Sequence, residues 1–189
     1  MKIKMTGLEY SVDVRLRDGT PMRIRAIRPD DKHLLVDLFR RLSPATIYYR
    51  FHGAKRRLTS QELVYLTELD FHRQAGLAGV LRIAGEDRIV GVARYAAGPE
   101  DPTDRADMAV TVEDAHQGRG IGRLLLEHLA RLARAEGMSR LDAYVLPDND
   151  RTIRLFERSR RILSRSVERG ACHLVLSTAA DHDARFGTP

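Results

Sequence analysis

The stretch Gln117-Gly118-Arg119-Gly120-Ile121-Gly122 sets three glycines at every second position, just after an apolar strand pattern and just before a helical one. Glycine inside regular structure costs stability, so this cluster implies a backbone that turns tightly and approaches something closely. A strand that ends in glycines and runs into a helix leaves backbone N–H groups free at the positive end of the helix dipole. That arrangement suits an anion, and phosphate best of all. Two familiar phosphate loops are excluded. A Walker loop needs Gly-x4-Gly followed by lysine and a hydroxyl residue, and neither follows here. A dinucleotide fingerprint needs Gly-x-Gly-x-x-Gly, whereas the glycines stand at 118, 120 and 122 and lie late in the chain. The competing reading is a tight turn with close helix packing and no ligand.

The elements that must position this loop are legible on either side. Residues 12–27 read as a hairpin, with Val12, Val14 and Leu16, then Met22, Ile24 and Ala26, alternating with polar residues around an Asp18-Gly19 turn. Pro29-Asp30 opens a helix with Leu34, Leu35, Leu38, Phe39 and Leu42 on one face. Ser43-Pro44 starts a second helix. Thr59 and Glu62 form a capping box for a third, expected to reach Leu69. Two strands follow around a turn at Gly85-Glu86-Asp87. A third, Ala106–Asp114, places Met108, Val110 and Val112 on one face. From Gly120 to Glu136 the apolar residues fall at helical spacing, closed by Gly137. A strand at 140–147, a short helix from Asn149, and a closing hairpin around Arg169-Gly170 complete the order. The strand–loop–helix–strand unit around Gly120 predicts a parallel pair, and the remainder predicts antiparallel pairing. The fold class expected is therefore α/β with a mixed sheet.

Bulk properties narrow the function classes. The 189 residues are 43% hydrophobic, which suits one compact domain with its own core. No apolar run approaches the ~20 residues of a membrane helix, and the first residues lack the apolar stretch of a signal peptide. A cytoplasmic protein without membrane attachment is the plain expectation. Cys172 is the single cysteine, so no internal disulfide forms; a core position on a strand is expected for it. The seven histidines are scattered without metal-ligand spacing, and no metal is expected. The net charge of +6 comes mostly from arginines, densest at Arg158, Arg160, Arg161, Arg165 and Arg169. A solvated face and an anion-binding surface remain equal readings of that cluster. The stretch 47–57 mixes tyrosines with basic residues as nucleic-acid surfaces do, but nucleic acid is not the expected partner.

Gln117 to Gly122 resembles the Gln/Arg-x-x-Gly-x-Gly/Ala motif of the GNAT N-acetyltransferases, and the order of strand, loop, helix, strand and short helix agrees over residues 12–178. More narrowly, residues 14–31, 38–51 and 58–70 are similar to the acetyltransferase domain of bacterial Pat-type protein lysine acetyltransferases. The resemblance implies a GNAT acyl-CoA N-acyltransferase fold in one domain over 1–189, with a core at 12–178, a tail at 179–189, a mostly antiparallel sheet and a βαβ core that binds CoA. It implies acetyl-CoA as cosubstrate, with the pyrophosphate gripped by Gln117, Gly118, Arg119, Gly120, Ile121 and Gly122. The backbone of Ala109 with Val110, Thr111 and Val112 would pair with the pantetheine arm, and an amide there would polarise the thioester carbonyl. Asn149 matches the family asparagine that faces the cofactor, and a helix N-cap is an equal reading of it.

The resemblance also assigns the chemistry and marks departures from it. Asp107, ten residues before Gln117, stands where Pat-type enzymes place a catalytic glutamate and is one methylene shorter. Glu113 is a second-choice base. Many GNAT enzymes carry a general-acid tyrosine seven residues after the asparagine, where this chain has Phe156. Either water protonates the leaving thiolate or Tyr144 substitutes. The usual Gly-Phe after this helix is replaced by Arg161-Ile162. The expected function is direct acetyl transfer to a primary amine, a protein lysine being the favoured acceptor. A small-amine acetyltransferase and an acyl-CoA sensor with impaired catalysis are the alternatives. The oligomeric state is not fixed by the sequence, and a homodimer stays open.

Overall fold

A computed structural model describes residues 7–179. Among them, eight strands form one sheet in the order β1-β2-β3-β4-β5-β6-β8-β7. The strands are β1 (Ser11–Arg15), β2 (Pro21–Ala26), β3 (Gln74–Ile83), β4 (Glu86–Ala96), β5 (Arg105–Val112), β6 (Arg140–Val145), β7 (Ile162–Glu168) and β8 (Ala171–Ser177). Every junction is antiparallel except β5–β6, which are parallel and joined through helix α4 (Ile121–Ala135). This is the mixed sheet that the alternation of patterns predicts. The expected tail from residue 180 onward lies outside the described residues.

Helices α1 (Lys32–Arg41), α2 (Pro44–Phe51) and α3 (Ser60–Thr67) precede the long strands, and α5 (Asp150–Ser159) follows β6. Local chemistry sets their starts. The Ser43 hydroxyl accepts the Thr46 N–H at 3.1 Å, with Pro44 at the first helical position. The Thr59–Glu62 capping box is closed in both directions, at 3.2 and 2.8 Å. Two boundaries differ from expectation. Residues 29–31 form a 3-10 turn, and α1 begins only at Lys32, because the Asp31 carboxylate takes two hydrogen bonds from Arg25 and one from the Arg28 amide. Helix α3 ends at Thr67, two residues early, where Asp70 begins to accept the amides of His72 and Gln74.

Two layers cover the sheet. Helix α4 packs on β3, β4 and β5, and its Ile121, Leu125, Leu126 and Leu129 are at most 1% exposed. The approach is close: a Cβ on Gly91 of β4 would meet Leu125 at 3.2 Å and Ile121 at 3.3 Å. The other face carries α1, α2 and α3, whose Leu35, Leu38, Phe39 and Phe51 gather with Val92, Arg94 and Thr111. The register pairs Val92 with Thr111, Arg94 with Ala109 and Ala96 with Asp107. Directly opposed residues share a face, so Asp107, Ala109 and Thr111 look toward α1–α3, while Met108, Val110 and Val112 look toward α4.

Candidate functional site

Strands β5 and β6 run together for only three residues. Their ladder joins Arg105, Ala106 and Asp107 to Arg140, Leu141 and Asp142 and then stops. Strand β5 continues to Val112, held by β4 on its other side, and β6 continues to Val145, held by β8. A cleft of 610 Å³ opens where they part, lined by residues 107–112 of β5, residues 143–145 of β6, Asn149 and the cleft side of α2. Alternate N–H and C=O groups of β5 on this side have no strand neighbour among the described residues. Such an edge is a template for an extended, amide-bearing chain.

The glycine loop stands at the top of this gap. Gly118 has φ +80° and Gly120 φ +92°, both in the left-handed region that glycine tolerates. Gly120 is the N-cap of α4 and has no side chain to satisfy the first turn. The first amide to find a helical partner is Leu124, which donates to the Gly120 carbonyl at 3.1 Å. The N–H groups of Ile121, Gly122 and Arg123 are therefore left without helical partners at the helix start, with the dipole behind them, an arrangement that favours an anion. Gly122 is small for a different reason: a Cβ there would meet Leu155 of α5 at 3.3 Å and Val112 at 3.6 Å. The alternate spacing thus combines two left-handed turns with one close packing contact, and Ile121 between them is buried in the core.

Side chains around the loop hold it rather than fill it. Gln117 donates from Nε2 to the Val112 carbonyl at 2.9 Å, tying the loop to the end of β5. The Arg119 guanidinium turns away, to Asp18 (2.9 Å) and Thr20 (2.8 Å) of the β1–β2 turn, so that its backbone is what it offers the loop. Asp114 accepts from the Ser43 amide, the Ser43 hydroxyl and the Thr46 hydroxyl, each at 2.8 Å, and so fixes the start of α2 over the cleft. Glu113, the second-choice base, is 5% exposed, pairs with Arg41 at 3.0 Å and does not line the cleft.

The titratable groups collect at the far end, where the ladder stops. Asp107 is exposed to the cleft. Desolvation by the cleft walls and the negative charges of Asp142 and Asp101 push its pKa above the ordinary aspartate value. Its register partner Asp142 is 3% exposed. Burial pushes that carboxyl up, but hydrogen bonds from Arg105 (Nη2 at 2.6 Å, and Nε) and from His173 Nε2 at 2.5 Å outweigh burial and hold it low. His173 in turn meets Glu168 through Nδ1 at 2.8 Å. Burial lowers the imidazole, yet the two carboxylates prevail and raise it. Tyr144 stacks on His173 at 4.5 Å between ring centroids and 8° between planes, with its edge in the cleft. Phe156 is 1% exposed and forms part of the cleft floor.

Most of the sequence-predicted residues meet here. Asp107, Val110, Thr111, Val112, Gln117 and Asn149 line one cleft, and Gly118, Arg119, Gly120, Ile121 and Gly122 follow Gln117 in the chain without lining it themselves. Asn149 is also the N-cap of α5, accepting the Thr152 amide at 3.2 Å. Sequence reasoning missed Asp142 and His173, whose contact spans 31 positions, and Arg50 and Arg94, which line the same cleft. Cys172 is in the core as expected, and His128 packs inside against the Tyr10 hydroxyl. Of the arginine cluster, Arg158, Arg160 and Arg161 border a second, basic hollow with α4 residues, while Arg165 pairs with Glu157 at 3.4 Å. Among the described residues no group of His, Cys, Asp or Glu is arranged to hold a metal, and no helix is long and apolar enough to cross a membrane.

Comparison with known proteins agrees with this geometry. An acetyltransferase of Pseudomonas aeruginosa is 33% identical over 126 residues, covering 67% of this chain and 67% of that protein. Acetyltransferase Pat of Mycolicibacterium smegmatis is 31% identical over 138 residues, 73% of this chain but 40% of that longer protein. The crystal structure of the GNAT domain of S. lividans PAT superimposes with a TM-score of 0.81 at 37% identity, covering 88% of this chain and 96% of that one. The sequence profile of the Acetyltransferase (GNAT) family, whose acetyl donor is acetyl-CoA, matches residues 38–160, a span that holds β5, the glycine loop, α4, β6 and Asn149. The chain therefore belongs to the GNAT acetyltransferase family.

Proposed function

We propose that this protein moves the acetyl group of acetyl-CoA to a primary amine, the favoured acceptor being a lysine of a protein, as the likeness to Pat-type proteins suggests. The observation that carries the reading is the parting of β5 and β6 directly beneath a helix start with open amides. One feature suits a diphosphate, the other suits an extended arm with amides of its own, and Gln117, which lines the cleft, leads from one to the other.

Bound acetyl-CoA supplies an activated thioester carbonyl. The amides of Ile121, Gly122 and Arg123 hold the diphosphate, and the free edge of β5 from Ala109 to Val112 orients the arm. A β5 amide donates to the carbonyl oxygen as charge develops on it. Asp107 accepts the proton of the attacking amine, directly or through one water, and its raised pKa brings it closer to that task. Tyr144 stands on the opposite strand with its hydroxyl available to the departing thiolate, in place of the family tyrosine that Phe156 replaces. His173 holds the Tyr144 ring by stacking and Asp142 by a hydrogen bond.

Calorimetric titration with acetyl-CoA tests binding, repeated on Gly120→Val. Thiol release with lysine-bearing proteins and with small amines then tests transfer. Binding that the variant abolishes, together with thiol release, supports the reading. Binding without release from any amine favours an acyl-CoA sensor, the alternative that rests on Phe156 and Arg161-Ile162. No binding to the native chain rejects both.

A further inference from the structure

Every buried carboxylate that meets an arginine elsewhere in the described structure does so in a matched pair: Asp31 with Arg25, Glu113 with Arg41, Asp142 with Arg105. Arg94 breaks that rule. It is 7% exposed, near the end of β4, and its polar partners are neutral: the Gln74 side-chain oxygen at 3.4 Å, a long contact, and Tyr65. Its guanidinium lies 4.1 Å above the Tyr65 ring of α3. Beside it comes Arg50, from the last turn of α2, whose guanidinium is 5.3 Å from the Phe51 ring. Among the described residues neither arginine has a carboxylate within ion-pair reach, and both line the cleft. Desolvation pulls Arg94 below the ordinary arginine value against the opposing effect of Tyr65; Arg50 is pulled to about 10, by desolvation first and then by the charge of Arg94.

Burying Arg94 without a counter-ion is costly, and the half-buried Arg50 beside it adds repulsion between like charges. A lysine in such a place would lose its proton; an arginine keeps its charge and so demands an anion. Two guanidinium groups offer the planar fork that a carboxylate fits. Their position says which molecule brings it. Arg94 is the register partner of Ala109, and Asp107 is the next residue of β5 on that same face. A step of two residues along a strand is about 6.8 Å. The cleft therefore sets a carboxylate site beside the proposed base for the amine, on the α2–α3 side and away from the glycine loop.

We infer that Arg50 and Arg94 bind a carboxylate carried by the acceptor, so that the substrate is an amine with an acidic group several bonds away. This rests on the acetyl-transfer reading above. An ω-amino acid meets the description, and so does a lysine with an acidic side chain next to it. The two share one chemistry, and matched substrates separate them.

The experiment compares kcat/KM by thiol release for 5-aminopentanoate and pentylamine, and for lysine peptides flanked by glutamate or by glutamine. The native chain, Arg94→Gln and Arg50→Gln are used, with circular dichroism to check folding. A preference of at least ~10-fold for the acidic member of either pair, reduced to near unity in both variants, is expected. The pair that shows it names the source. Acetylation of all amines without preference overturns the inference while leaving acetyl transfer intact. So does a preference for succinyl-CoA over acetyl-CoA with pentylamine that depends on the two arginines, since the carboxylate would then belong to the acyl chain. If no amine releases thiol, a second readout decides. Glutarate, compared with sodium chloride at equal ionic strength, should raise the unfolding midpoint of the native chain and not that of Arg50→Gln. An equal response in both overturns the inference.

Discussion

Replacing Gly118 by alanine separates the two reasons for a glycine in this loop. Its φ is +80°, and a Cβ placed there meets nothing within 4 Å. Gly85, in the β3–β4 turn, has φ +86° and equally open space. The two substitutions therefore carry the same backbone strain, about 1–2 kcal/mol for an L-residue in the left-handed region. For a chain of this size that lowers the unfolding midpoint by roughly 2–8 °C. Only Gly118 adjoins the open amides at the start of α4. A methyl group there enters the space assigned to a diphosphate. Losing one amide–phosphate hydrogen bond at about 1.5–3 kcal/mol weakens acetyl-CoA binding roughly 10- to 150-fold. Differential scanning fluorimetry and calorimetric titration on the native chain and both variants give the two quantities side by side. Equal losses of stability, with loss of affinity confined to Gly118→Ala, are expected. If Gly118→Ala binds acetyl-CoA as tightly as Gly85→Ala does, that side of the loop faces solvent and the anion-site reasoning is wrong.

Asp107→Asn should lower kcat by ~10²-fold or more at neutral pH. The native acid limb of kcat/KM should have its midpoint above the ordinary aspartate value, because desolvation and Asp142 raise this group, and the variant should lose that limb. Phe156→Tyr should change turnover by less than ~3-fold if Tyr144 or water already protonates the thiolate; a rise of ~10²-fold in thiol release would show that the missing acid limits the rate. His173→Gln removes one of the donors that hold Asp142 and should cost about 2 kcal/mol in urea unfolding. His173 is raised in the folded state, so its protonated form adds stability in full below pH ~6.5, and that contribution fades as pH rises through the higher folded value. The gap between native and variant should therefore be widest in mild acid; a gap that widens toward alkaline pH would contradict the assigned charge state.

What the chain reveals before folding is whatever depends on near neighbours. The Asp18-Gly19 hairpin, the Thr59–Glu62 capping box and the left-handed glycines are each settled within a few residues, and each stands where the pattern put it. The reach of Arg119 to Asp18 and the Asp142–His173 contact join residues 101 and 31 positions apart, so neither residue carries a local mark. The parting of β5 from β6 is hidden for a related reason. A strand's own sequence records which face is apolar but not where its neighbour leaves it. The run Ile89-Val90-Gly91-Val92-Ala93-Arg94-Tyr95-Ala96 did hold a signal of its own. It is apolar on both faces, as a strand covered on both sides must be. Alternation therefore gives Arg94 no solvent face to occupy. A cation in such a strand must sit against a buried acid or against a cleft, and in this fold the acid is absent among the described residues. Arg94 is therefore the one charge in this apolar run, and the inferred carboxylate site is the account that gives it a partner.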